Sequence, residues 1–258
     1  MSDQPGGTSV ERTRVDLPTV DGEVDVYLFR PAGGGSWPGV VLYMDAFGIR
    51  PQLAGMAARL AAAGFVVAVP NLYHRIGAFE PFDPRAVLVD GPERDRFKGM
   101  IAAVDGPKAM RDTAAIIEYF DTLPAVRAGA LGAVGYCMGG GYALAAAGTF
   151  PERVVAAASF HGGSLATDRA DSPHLLATRM RARLYVGVAE IDASFSPEQQ
   201  ARLEQALADA GVAHTIEVYP GAKHGFAVTG HLVYDRDASE RHWRTLLQFL
   251  EENLRRSG

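Results

Sequence analysis

Gly135-Tyr136-Cys137-Met138-Gly139 stands between an apolar run, Ala130 to Val134, and a small-residue stretch, Gly140 to Gly148. Strand, sharp turn and helix in that order make a nucleophile elbow, which holds its central side chain free above a sheet. The turn forces that central residue into a strained backbone conformation, so its neighbours must be small. Cys137 occupies the centre and is the only cysteine in the chain. A thiol needs a base or a positive environment to act as a nucleophile, so a partner is expected elsewhere in the sequence. A lone cysteine is more commonly a small buried residue, but glycines on both sides, in this setting, favour the elbow.

Outward from the elbow, strand and helix signals alternate. Val24 to Phe29, Gly39 to Met44, Phe65 to Val69, Val154 to Phe160, Leu184 to Ala189 and Thr215 to Tyr219 read as further strands. Helices are expected at Gln52 to Ala63, Ala109 to Leu123, Pro197 to Ala210 and Ser239 to Leu254, with Gly64 and Gly211 as stops. This alternation predicts an α/β fold with a mostly parallel central sheet and helices on both faces. Leu72 to Gly106 carries proline, glycine and many charges without a clear period, and reads as an excursion over the active face.

With 258 residues and 48% hydrophobic content, the chain has enough apolar material for one sizeable core. The expectation is a flexible lead-in over residues 1–20, fraying at Met1 to Ser9, and a single domain over 21–258. A net charge of −5 with dispersed Lys and Arg gives no footprint for nucleic acid. The N-terminus has neither the basic stretch nor the apolar core of a signal peptide, and no run reaches about 18 apolar residues. One cysteine forms no internal disulfide, so a cytoplasmic setting without membrane contact is expected. No His, Cys or carboxylate pair has metal-ligand spacing, and neither metal nor cofactor is expected.

In such a sheet the acid and base partners follow the nucleophile in chain order, each after a later strand. Asp192 follows Leu184 to Ala189, with Glu190 as its rival; His224 follows Thr215 to Tyr219 in a loop held by Pro220, Gly221 and Gly225. His161, in Phe160-His161-Gly162-Gly163, ends a strand on the same face and is a candidate substrate contact. Surface positions are expected for His174, His214, His231 and His242. Tyr136 and Met138 flank the nucleophile, either in the core or on a pocket wall. Phe79 and Phe82, within the excursion, either cap the pocket or pack locally within the loop.

Three motifs together, Gly135-Tyr136-Cys137-Met138-Gly139-Gly140, Pro70-Asn71-Leu72-Tyr73-His74-Arg75 and Tyr219-Pro220-Gly221-Ala222-Lys223-His224-Gly225-Phe226, resemble those of the dienelactone hydrolase family of α/β-hydrolases. The resemblance runs from about Val24 to Leu254. It implies an α/β-hydrolase fold and a Cys137, Asp192, His224 triad acting on small esters or lactones. It also implies an acidic residue that meets the resting thiol, here Asp45, one methylene shorter than the family's usual glutamate. Arg75 matches one of the two arginines that hold a substrate carboxylate in the family's reference enzyme. Val228 stands where the second is expected, so a two-point clamp is incomplete.

The chemistry so implied is acyl transfer through a thioester, with His224 as base, Asp192 orienting it, and the backbone amides of Ala46 and Met138 as oxyanion donors. Two other readings stay open: a non-catalytic hydrolase-fold protein that binds a small molecule, and a broad carboxylesterase or thioesterase. Oligomeric state is expected to be a monomer or a small homo-oligomer.

Overall fold

A computed structural model describes residues 9–255. Among these residues eight strands form one sheet: β1 (Val10–Thr19), β2 (Gly22–Pro31), β3 (Trp37–Tyr43), β4 (Val66–Pro70), β5 (Val126–Tyr136), β6 (Val154–Phe160), β7 (Arg183–Ile191) and β8 (His214–Lys223). Six α-helices accompany them: α1 (Pro51–Ala62), α2 (Pro92–Ala103), α3 (Gly106–Thr122), α4 (Met138–Thr149), α5 (Pro197–Asp209) and α6 (Arg236–Leu254). The strand order is β1-β2-β4-β3-β5-β6-β7-β8. β1 and β2 run antiparallel to their neighbours, and β4, β3, β5, β6, β7 and β8 pair in parallel. This is the expected α/β-hydrolase architecture.

The central strands are buried on both faces, which is why their sequences read as apolar runs rather than alternations. Gly39 lies in register with Leu131, and a side chain there would meet Phe120 of α3. Gly132, one position on and opposite Val40, would instead meet Leu250 and Leu254 of α6. Successive strand residues point to opposite faces, so α3 and α6 cover opposite sides of the sheet. α1 sits with α6, joined by the Arg59–Glu240 ion pair.

Helix starts follow local chemistry. α1, α2 and α5 begin with prolines, Pro51, Pro92 and Pro197, whose missing N–H has no helical partner to lose. Asp105 caps α3 by accepting from the Lys108 amide at 2.8 Å, and Asp235 caps α6 by accepting from the Asp237 and Ala238 amides.

Two elements depart from expectation. Val10–Thr19, inside the segment expected to be a flexible lead-in, is an edge strand paired with β2 along its whole length. Residues 1–8, where most of the expected fraying falls, lie outside the described range. The unpatterned excursion contains α2, whose only buried residue is Met100. A helix with so little buried surface carries no hydrophobic period to read. No helix among the described residues is long and apolar enough to cross a membrane.

Candidate active site

Four loops leave the carboxyl ends of β3, β5, β7 and β8 and meet at one edge of the sheet, where ligands bind in open α/β folds. Cys137 stands at the turn between β5 and α4 with φ 54° and ψ −120°. Glycine is required on both sides. A Cβ on Gly135 would lie 1.9 Å from the Gly139 carbonyl oxygen, and one on Gly139 would lie 2.6 Å from the carbonyl oxygens of Tyr43 and Met44. No side chain fits either place, so the strained elbow is built into the packing. Met138 is the first residue of α4, and its N–H has no intrahelical partner.

His224 shares the cavity with Cys137 and Asp192, its Nδ1 lying 2.7 Å from Asp192 Oδ2. Burial pulls the imidazole down, but the charge of Cys137 and the hydrogen bond to Asp192 outweigh it and push the group up to about 10. Asp192 is 2% exposed. Burial raises its carboxyl, while His224 and Ser194 bring it to a net position below the ordinary carboxylate range. Glu190 points elsewhere and accepts from the Gly221 amide.

Ser194 has no place in the sequence reading. Its Oγ and N–H both donate to Asp192 Oδ1, at 2.6 and 2.8 Å, and its Oγ lies 3.1 Å from His224 Nδ1. The Asp192-Ala193-Ser194 spacing, an Asx turn in which the carboxylate caps the amide two residues on, was the signal that could have revealed it.

A cavity of about 710 Å³ opens at Cys137, lined among others by Ala46, Met138, Asp192, His224, Tyr142 and Lys98. The amide of Ala46 donates to no group among the described residues. Lys98, on α2, forms no ion pair among the described residues.

Arg75, His161 and Asp45 are placed otherwise than expected, and the structure decides between the alternatives open for Tyr136, Phe79 and Phe82. Arg75 is turned away from the cavity: its guanidinium holds Asp112 at 2.7 and 2.9 Å and Asp21 at 2.9 Å, tying the β1–β2 turn to α3. Tyr136 is fully buried, stacked on Phe160, with its hydroxyl 2.7 Å from His242 Nε2, so it belongs to the core. His161 is 1% exposed and packs behind His224 with ring centroids 5.2 Å apart, away from the cavity lining. Burial, then the charge of His224, holds His161 neutral far below the usual histidine range. Asp45 does not bond the thiol: Arg50 takes both carboxylate oxygens at 2.6 Å, and His231 Nε2 approaches at 3.3 Å. Phe79 and Phe82 line a separate cavity of about 860 Å³, together with Phe47, Arg50 and His231. Two histidines expected at the surface are also placed otherwise, His242 being fully buried and His231 bound to Asp45. Val228 is buried.

Comparison with known proteins places these features in context. The profile of the dienelactone hydrolase family matches residues 24–254. The chain is 28% identical over 243 residues to a carboxymethylenebutenolidase of Rhodococcus opacus, covering 88% of this chain and 86% of that one. It shares its fold with a dienelactone hydrolase-like promiscuous phosphotriesterase from metagenomic libraries, at TM-score 0.77 and 22% identity, over 96% of this chain and 99% of that one.

Proposed function

The chain belongs to the dienelactone hydrolase family, and on that premise we propose that it hydrolyses small esters or lactones through a thioester on Cys137. One observation carries the reading: Cys137, His224 and Asp192 line one cavity sized for a small molecule, with His224 held by Asp192 at 2.7 Å. The relative from Rhodococcus opacus, named for lactone hydrolysis, supports the substrate class.

In the proposed cycle the Cys137 thiolate attacks the carbonyl carbon, and the carbonyl oxygen becomes an oxyanion held by the amides of Met138 and Ala46. The N-terminal end of α4 adds its dipole to that hold. The His224 imidazolium gives its proton to the departing alkoxide, leaving a thioester and a neutral imidazole. Neutral His224 then takes a proton from water, the hydroxide attacks the thioester carbonyl, and collapse releases the acid and restores the Cys137–His224 pair. Asp192, fixed by Ser194, keeps the imidazole in the orientation both steps need.

With Arg75 engaged elsewhere and Val228 buried, neither of the two positions expected to clamp a substrate carboxylate offers an arginine to the cavity. Lys98 is the cation on the cavity wall without an acidic partner among the described residues. The cavity therefore suits neutral esters and lactones, with Lys98 able to meet one carboxylate at its rim.

The test is hydrolysis of a neutral short-chain aryl ester and of a carboxylate-bearing dienelactone by wild type beside Cys137→Ala. Turnover by wild type, abolished in the variant, is the expected result. Equal turnover by both proteins would remove Cys137 from the chemistry.

A further inference from the structure

Asp45 is almost completely buried, at 1% exposure, yet its carboxylate is committed to the chain that immediately follows it. Arg50 clasps Oδ1 and Oδ2 with two parallel bonds of 2.6 Å, and its Nη1 also donates to the Gly48 carbonyl at 3.1 Å. His231, brought from far along the sequence, lies 3.3 Å from Oδ2 and 3.1 Å from Arg50 Nη2. Asp45 Oδ1 accepts from the Phe47 amide at 3.0 Å, and the Asp45 carbonyl accepts from the Gly48 amide at 3.1 Å. Tyr73 donates its hydroxyl to the Ala46 carbonyl at 2.8 Å. Gly48, at φ +79°, closes the turn in a conformation that favours glycine.

Of the three amides that follow Asp45, those of Phe47 and Gly48 are used to hold the turn. Only the Ala46 amide is uncommitted among the described residues, and Ala46 lines the cavity at Cys137. Fixing a peptide group in advance is what makes an oxyanion donor effective, since nothing then reorganises as charge develops. A bidentate Arg–carboxylate pair supplies that rigidity better than a single contact.

We propose that Arg50, Asp45 and His231 are positioning residues that hold the Ala46 amide for the oxyanion, and that Asp45 has no part in activating the thiol. The proposal rests on the cysteine-hydrolase reading above. Asp45 acts through the Asp45–Gly48 turn, and Arg50 and His231 act through Asp45. The carboxylate stays ionised: burial raises it, but the bonds from His231 and Arg50 carry it down to about 2.

Two reactions of Cys137 separate this role from thiol activation. Ester hydrolysis builds an oxyanion; alkylation by iodoacetamide is a displacement at saturated carbon and builds none. Arg50→Lys keeps the charge and loses the two-point hold, and Asp45→Asn keeps the shape and loses the charge. For both we expect kcat on a neutral aryl ester to fall about 10- to 100-fold, somewhat less than outright loss of a donor. KM should move less than kcat, and the rate and pH dependence of alkylation should match wild type.

Undiminished ester turnover in both variants would overturn the proposal. So would alkylation that slows in step with turnover, or whose pH dependence is displaced, because Asp45 would then act on the thiol. Should Asp45→Asn fail to fold, as its thermal transition would reveal, Arg50→Lys decides alone. Wild type without Cys137-dependent turnover would instead overturn the hydrolase reading and this proposal with it, an outcome distinct from an active wild type and an equally active Arg50→Lys.

Discussion

Cys137 at φ 54° between two glycines that admit no side chain is a conformation costing about 1–3 kcal/mol, maintained by packing around it. Gly135→Ala would place its Cβ against the Gly139 carbonyl, and we expect no folded protein from it, as judged by loss of a cooperative thermal transition. His224 is the residue whose charge state the site controls most strongly. Its pKa is raised from an ordinary 6.5 to about 10, so the stability its partners provide is fully present below about 6.5 and is lost as pH rises through about 10. Because Asp192 supplies part of that shift, Asp192→Asn should move the basic limb of the kcat/KM profile down toward the ordinary histidine range. An unmoved limb would mean that Asp192 does not support the charge. That Cys137, Asp192 and His224 would meet at one cavity was legible in sequence, because glycine spacing and chain order constrain their positions. Asp45 was legible as a position and not as a role. Its partner His231 lies 186 residues away, and no local pattern announces a contact that only the folded sheet creates.

At the scale of elements, the loop after β4 carries Arg75 into a buried ion pair rather than into the cavity. Asp112 of α3 is fully buried and receives two bonds from Arg75, with His74 Nε2 a further 3.2 Å contact. Removing one partner of such a pair leaves an uncompensated charge, so Arg75→Ala should cost about 3–5 kcal/mol of folding stability in chemical denaturation. Its KM values for anionic and neutral substrates should change alike. A selective rise for the carboxylate-bearing lactone would return Arg75 to substrate binding. The opposite pattern is expected for Lys98 of α2. Lys98→Met should raise KM for that lactone by at most about fivefold, the limit for an exposed ion pair worth about 1 kcal/mol, with neutral esters unaffected. Most strands and helices could be read from their periods, and β6 from Val154 to Phe160 matched its expected bounds. β1 and α2 could not. An edge strand and a helix with one buried residue owe their existence to neighbours, not to a hydrophobic repeat of their own.

Across the whole molecule, the parallel strands β4, β3, β5, β6, β7 and β8 bring residues separated by almost 180 positions to one edge of the sheet. Ala46 after β3, Cys137 after β5, Asp192 after β7 and His224 after β8 thereby share a single cavity. The topology was legible because parallel pairing imposes buried apolar strands and intervening helices. Which polar groups face the cavity was not, since Arg75, Tyr136 and His161 each stand within reach of that edge and turn away from it. The thioester on Cys137 is a covalent bond, and intact-mass analysis of wild type quenched during turnover of a neutral aryl ester would detect it. The expected result is a species heavier by the acyl group, located on Cys137, cleaved by neutral hydroxylamine and absent from Cys137→Ala. Ester turnover without such an adduct, persisting in Cys137→Ala, would contradict it.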